Sequence, residues 1–135
     1  MRLMKVGKPQ LVALAGLAIV AAMLVAPAAV ARDGDVIRRG ACSGASDWKL
    51  KLSPEDGRIE VEFEVDQNEV GDTWKVVMRR DGNVFFRGER VTRGPSGSFE
   101  VRRVISNSAG EDRVSARAVN LSTDEVCRGI ATANF

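Results

Sequence analysis

The sequence contains no His and no Tyr, and only two of its 135 residues are Cys. Without His, a Ser-His-Asp or Cys-His nucleophile system cannot form, and imidazole metal sites are excluded. Two thiolates cannot build a four-cysteine zinc or iron–sulfur site. We therefore expect no metal, no cofactor and no catalytic residues, and the sequence predicts a protein that is not an enzyme.

The N-terminal segment 1–31 has the pattern of a secretory signal peptide. Three cations precede an apolar run over residues 11–25, and Ala29-Val30-Ala31 is a small-residue cleavage site. The alternative is an uncleaved anchor, since residues 11–31 could just span a bilayer as a helix. The sequence thus predicts a secreted or cell-envelope protein, which contacts the membrane only if this segment is kept.

Removing the signal segment changes the charge balance of the protein. The segment holds three of the 20 Lys and Arg and none of the 18 Asp and Glu, so 17 cations would face 18 carboxylates. The mature chain is therefore expected to carry a formal charge of −1. This near-neutral balance argues against a globally basic nucleic-acid binder.

The two cysteines are predicted to form one disulfide. Cys42 lies in a polar, Gly-containing stretch at 32–45, which we interpret as a flexible leader arm, and Cys127 lies in the last patterned segment. An even number of cysteines in a small exported domain indicates a disulfide framework. A redox-active pair is the alternative, but the C-x-x-C spacing of such pairs is missing. The bridge would pin the arm to the last strand.

Residues 46–135 alternate between apolar and polar side chains with the period of a β-strand. The clearest segment is 57–66, in which four apolar side chains alternate with four carboxylates. Asp81-Gly82 is typical of a hairpin turn, and a slip of register at Arg102-Arg103 suggests a bulge. Seven short strands are expected, near residues 48–52, 57–66, 74–79, 84–91, 99–105, 113–118 and 126–133. Their number and spacing predict an antiparallel β-sandwich.

The domain resembles immunoglobulin and fibronectin type III-like sandwiches. The resemblance depends on Trp74 in the third predicted strand and on 108–120, which is similar to the turn into their sixth strand, with Arg113 near the place of their Tyr. It implies a seven-stranded antiparallel sandwich and carries no function of its own. The whole chain also resembles short exported proteins of high-GC Gram-positive bacteria, which implies export.

The expected architecture places the third, sixth and seventh predicted strands in one sheet, with a basic outer face. Phe85 and Phe86 are consecutive, so one of them should point outward. A two-residue turn would put Phe86 outside beside Val77, whereas a loop that differs by one residue would expose Phe85. The cations expected on this face are Lys75, Arg79, Arg113, Arg117 and Arg128. The candidate binding face comprises Lys75, Val77, Arg79, Phe86, Arg113 and Arg117.

Four carboxylates between Glu60 and Asp66 form a row along one strand face. A glycosidase pair must flank the scissile bond from opposite sides, which a single row does not do. We interpret the row as a solvated face, ion-paired with Arg102 and Arg103 of the fifth predicted strand.

The leading hypothesis is an exported, non-enzymatic sandwich that binds or scaffolds an anionic envelope polymer through its basic face. The alternative is a secreted ligand or inhibitor that contacts another extracellular protein through an end loop such as 94–97.

Overall fold

The computed structural model describes residues 34–135, together with Met4 and Gly7. The signal-peptide prediction lies outside these residues. Within the described residues, no helix is long and apolar enough to cross a membrane. Residues 34–135 form eight strands: β1 (Val36–Ala41), β2 (Asp47–Glu55), β3 (Arg58–Asp66), β4 (Thr73–Arg80), β5 (Asn83–Val91), β6 (Ser98–Ser106), β7 (Asp112–Asn120) and β8 (Val126–Ala133).

The strands build two antiparallel four-stranded sheets that face each other. The first sheet has the order β1-β2-β3-β6 and the second has the order β5-β4-β7-β8. The sheets meet along both edges, where β1 and β2 contact β8 on one side and β5 contacts β6 on the other. The predicted all-β antiparallel sandwich is therefore confirmed, as are the pairing of β3 with β6 and the common sheet of β4, β7 and β8.

The core consists of the inward-facing side chains of both sheets. Phe63 and Val65 of β3 are fully buried, as are Trp74 and Val76 of β4. The Trp74 ring lies 6.0 Å from the ring of Phe99 on the facing sheet, in a tilted arrangement. Burying one such side chain stabilises the folded state by about 1.5–3 kcal/mol. The alternation seen in the sequence thus reports which side chains enter this core.

The sheets contain eight strands rather than the predicted seven. The additional strand is β1, which lies within the stretch interpreted as a leader arm and pairs with β2 from Val36 opposite Leu52 to Ala41 opposite Asp47. Its sequence lacks an apolar alternation because Arg38 and Gly40 occupy the positions opposite the inward-facing Leu50 and Trp48. The pairing with β2, rather than a pattern of its own, makes this segment a strand.

The Trp48 ring fills the space between two glycines on opposite sheets. A Cβ atom built on Gly40 of β1 would lie 2.7 Å from Cζ2 of the ring, and one on Gly129 of β8 would lie 2.7 Å from its Cζ3. Only residues without a side chain allow this approach. The ring therefore joins the two sheets at the β1–β8 edge.

Next to Trp48, the chain is closed covalently. The sulfur atoms of Cys42 and Cys127 lie 2.00 Å apart, which is a disulfide distance, so the predicted pair is brought together. The Ser43 N–H donates to the carbonyl of Val126 at 2.8 Å, and the Val126 N–H donates to the Ser43 hydroxyl at the same distance. Backbone and covalent links thus hold the segment after β1 against β8.

A β-bulge in β5 changes which phenylalanine points outward. The register of β4 with β5 shifts between Met78 and Arg79, so that Phe86 faces Met78 while Phe85 is the extra residue. Phe86 is only 8% exposed, and Phe85 packs against the same core. The expectation that Phe86 lies on the outer face was therefore wrong, because the bulge interrupts the alternation on which it depended.

The bulge suggested at Arg102-Arg103 is absent. The pairing of β3 with β6 continues without a shift from Arg58 opposite Ser106 to Asp66 opposite Ser98. Consequently Arg102 lies on the outer face, whereas Arg103 occupies an inward position and places its guanidinium 4.5 Å from the centre of the Phe86 ring. Its cationic head covers the β5–β6 edge of the core.

Replacing Gly129 by Ala is expected to lower the free energy of unfolding by about 1–3 kcal/mol, because the new methyl group would overlap the Trp48 ring. Chemical denaturation with Trp fluorescence measures the change. Ser115→Ala on the outer face of β7 is the control and should alter the stability by less than about 0.5 kcal/mol. Equal stability of the Gly129 variant and the wild type would show that Trp48 does not need this space.

Removing the disulfide by Cys42→Ser/Cys127→Ser is expected to destabilise the fold by about 4–5 kcal/mol. The disulfide closes a loop between residues 85 positions apart, and without it the unfolded chain gains conformational entropy. Denaturation of the variant, compared with that of the oxidised wild type, measures the loss. A loss below about 1 kcal/mol would show that the hydrogen bonds around Ser43 suffice without the covalent link.

Candidate functional site

The outer face of the β5-β4-β7-β8 sheet concentrates cationic side chains. Lys75 and Arg79 stand on β4, on either side of Val77. The neighbouring strands place Arg87 and Arg117 directly opposite Val77. We name this surface the basic face; its cations are Lys75, Arg79, Arg87, Arg113, Arg117 and Arg128.

The charge of the basic face is strongly one-sided. Its outward strand positions carry these six cations and one carboxylate, Glu89, so the balance of formal charges is 6 − 1 = +5. Among residues 34–135, none of the six cations lies within ion-pairing distance of a carboxylate. The face therefore presents its positive charge to the solvent.

On the outer face of the other sheet, three carboxylates of β3 form ion pairs with neighbouring strands, although Asp47 lies opposite Asp66 and Glu64 opposite Glu100. Lys51 binds Glu62 at 2.7 Å and Lys49 binds Glu64 at 3.2 Å, both from β2 to β3. From β6, Arg102 pairs with Glu60. The predicted carboxylate row has cross-strand ion pairs, with Arg102 as one partner. The expectation that the row is solvated was wrong, because Glu60 is buried and Glu62 and Glu64 are only partly exposed beneath their partners. Arg103 is not a partner, and the two lysines of β2 are additional ones.

The residues assigned to the binding face from the sequence come together, with one exception. Lys75, Val77, Arg79, Arg113 and Arg117 share the outer face, and Arg128 joins them opposite Arg117. Phe86 lies on the inner side. Exposed apolar side chains that flank the face are Val84 and Ile130, each 43% exposed, and Val91, 40% exposed.

Sequence reasoning missed Arg87, because the expected two-residue turn puts Phe86 outward and therefore its neighbour Arg87 inward. The signal that could have found it is the consecutive pair Phe85-Phe86, which breaks the alternation where the bulge lies. In the structure, Arg87 pairs with Val77 and is exposed. It completes a line of cations across the sheet.

A polar network closes one end of the sandwich. Trp74 Nε1 donates to Gln67 Oε1 at 3.0 Å, and Gln67 Nε2 donates to Asp72 Oδ2 at 2.5 Å. Asn120 Nδ2 donates to the same carboxylate oxygen at 2.9 Å. These hydrogen bonds, first that from Asn120 and then that from Gln67, lower the pKa of Asp72 against the opposing effect of burial. The network joins the β3–β4 loop to the end of β7.

The end loop at 94–97 packs against the β3–β4 loop. The Gln67 N–H donates to the carbonyl of Gly97 at 3.0 Å. Gly97 has a φ of +71°, and a Cβ there would lie 2.4 Å from the backbone nitrogen of Glu69. Beside this contact, Val70 is 64% exposed. The end loops thus present an ordered, partly apolar tip.

Within residues 34–135 no group of three or more Cys, Asp or Glu is placed to hold a metal ion. Comparison with known proteins adds no assignment: the chain matches no protein-family model, no curated protein and no solved structure.

Asp72→Asn is expected to destabilise the protein at neutral pH and to make its stability less dependent on acid. The pKa of Asp72 is lower in the folded protein than in the unfolded chain, where it is about 3.9. The ionised carboxylate therefore stabilises the fold above about pH 3.9, and this stabilisation is lost as the pH falls through the pKa of the folded state. Denaturation midpoints between about pH 7 and pH 2.5 test this. A difference in stability between the Asp72 variant and the wild type that stays constant with pH would contradict this prediction. Asp47→Asn on β2 is the control variant.

Proposed function

We propose that this protein is an exported binding module that attaches to an anionic polymer of the cell envelope through its basic face. The observation that carries the proposal is the surplus of six unpaired cations over one carboxylate on a single sheet. A clustered positive field attracts a polyanion over about 8–10 Å at moderate ionic strength. Because the protein is nearly neutral overall, this attraction is confined to one side.

Binding rather than catalysis is favoured by the state of the carboxylates. Glu60, Glu62 and Glu64, which are the strongest acidic cluster, are each occupied by a cation of a neighbouring strand. Such pairs stabilise a surface modestly, and these three carboxylates stand along one strand rather than on opposite sides of a substrate bond. The basic face itself lacks a nucleophile with a neighbouring base.

The proposed compartment and ancestry follow from several features together. A disulfide is typical of exported proteins, and the first 31 residues have the pattern of a signal peptide. We include in the proposal a relationship to the immunoglobulin and fibronectin type III-like sandwiches, supported by the two antiparallel sheets. Relative to the expected seven strands, β1 is an addition at the edge.

A second candidate function is supported by the ordered tip at the end loops. Gly97 packs against the backbone of Glu69, and Val70 is largely exposed beside it. A rigid, partly apolar tip suits a protein ligand or inhibitor, because little conformational entropy is lost on binding. A 1:1 complex with a purified extracellular protein that survives moderate salt and is lost on Val70→Asp would favour this function.

Reversing two charges on the basic face is expected to abolish polymer binding. For Arg79→Glu/Arg117→Glu we expect retention on purified envelope polymer at low salt to fall at least about tenfold, or by ~1.4 kcal/mol. Wild-type retention should itself weaken as salt is added. Binding is measured by co-sedimentation across a salt series.

The matched control is Arg58→Glu/Arg93→Glu, which changes the net charge equally, at exposed positions outside the basic face. It should bind nearly as well as the wild type. An equal loss in both double variants would mean that net charge rather than the basic face governs retention. No retention of the wild type at low salt would refute the proposed function.

A further inference from the structure

Each sheet has two edge strands, which have a neighbouring strand on one side only: β1 and β6 in the first sheet, and β5 and β8 in the second. The backbone N–H and C=O groups on the free side of such a strand can pair with a strand of another molecule. The start of β8 is covered, because Val126 pairs with Ser43 and the next residue, Cys127, forms the disulfide. The remaining edges are β1, β5 and β6.

These three edge strands each carry an arginine at a position that faces the core. A residue in a paired strand points to the same side of the sheet as the residue opposite it. The residues opposite these arginines are fully buried. The pairs are Arg38 with Leu50, Arg90 with Trp74, and Arg103 with Val61. We name Arg38, Arg90 and Arg103 the edge arginines.

The position of the edge arginines is specific to the edges. Within residues 34–135, the central strands β2, β3, β4 and β7 have one core-facing cation, Arg80, and it is the last residue of β4. The other cations of these four strands lie on the outer faces. A core-facing cation in the middle of a strand is therefore a property of the edge strands and not of the chain as a whole.

The edge arginines also make one common hydrogen bond. In each of them, Nη1 donates to the carbonyl of the preceding residue, which is Ile37 at 3.1 Å, Glu89 at 2.8 Å or Arg102 at 2.7 Å. No other arginine of residues 34–135 donates to the carbonyl of an adjacent residue. An inward side chain on an edge strand passes the free side of that strand to reach solvent. Each guanidinium is thus held against its own strand, where a further strand would pair.

Two of the edge arginines meet at the β5–β6 edge. The guanidinium carbons of Arg90 and Arg103 lie 5.0 Å and 4.5 Å from the centre of the Phe86 ring. Two charged groups therefore close the core over this ring. The bulge in β5, with Phe85 as the extra residue, also interrupts the regular backbone spacing that an incoming strand would have to match.

We propose that the edge arginines prevent the sheets from adding strands, so that the protein remains a monomer and binds its partners through a face or through the tip. An added strand would displace the guanidiniums or bury their charge, and burying an unpaired charge is costly. Inward-pointing charges and bulges are devices that protect edge strands from edge-to-edge association. The proposal does not depend on which ligand the basic face binds.

The test gives both strands of the β5–β6 edge an apolar inner face. Arg90→Val/Arg103→Val is expected to form species of at least double the monomer mass as its concentration is raised towards about 1 mM, because valine favours strands and the charges are gone. The wild type is expected to remain a monomer. Sedimentation velocity measures the mass, and chemical denaturation should show that the variant is at least as stable as the wild type.

The matched control is Arg39→Val/Arg93→Val, which makes the same exchange at two exposed positions other than the edge arginines. It should remain a monomer, as should Arg90→Lys/Arg103→Lys, which keeps both inward charges. Association of the matched control to the same extent would mean that lost charge or added apolar surface governs the mass. That result, a wild type that itself associates, or a folded valine variant that stays monomeric would overturn the proposal.

Hydrogen exchange identifies the contact between the molecules. Pairing of edges is expected to slow the exchange of the amides on the free side of β5 or β6 in the associated valine variant, compared with the matched control. Association without slower exchange at these strands would overturn the proposal. If the double variant does not fold, the single variant Arg103→Val is measured in the same way. Unfolding of both would show that these arginines serve the fold itself and would also overturn it.

Discussion

The structure depends on burying two apolar sheet faces against each other. Phe63 and Val65 from one sheet meet Trp74 and Val76 from the other, and all are excluded from water. In an antiparallel sheet with one buried face, every second residue of a strand points into the core. The remaining residues must point outward, so the charged side chains are distributed on the surface as a consequence of how the core is formed.

The order of the strands then decides which of these charges cancel. On the first sheet, the register brings Lys49 and Lys51 of β2 opposite Glu64 and Glu62 of β3, and Arg102 of β6 pairs with Glu60. On the second sheet, β4 and β7 lie side by side with cations on both, and Arg117 faces Arg128. Both sheets alternate apolar and polar residues in the same way, but their outer faces differ in net charge. The proposed binding surface consists of the cations of the second sheet that have no carboxylate partner.

The basic face is supported by a rigid framework. Its two central strands, β4 and β7, supply the fully buried Trp74, Met78 and Val114 on their inner side. At the β8 edge, Trp48 and the disulfide attach the sheet to its partner. A binding surface built on paired strands holds its side chains with more precision than one built on loops. The cations of the basic face are therefore positioned by paired strands rather than by loops.

Much of this fold is determined by the sequence alone. Period-two alternation and turns such as Asp81-Gly82 located the strands from β2 to β8, and the cations of β4 and β7 were placed on one face, because both signals are local to each segment. The tertiary structure alone decided that β1 is a strand, that Phe86 turns inward, and that Arg87 joins the basic face. Each of these depends on pairing between strands rather than on the pattern within one strand. β1 has no apolar period of its own and is a strand because it pairs with β2, and the bulge that turns Phe86 inward and Arg87 outward is a property of two strands in register.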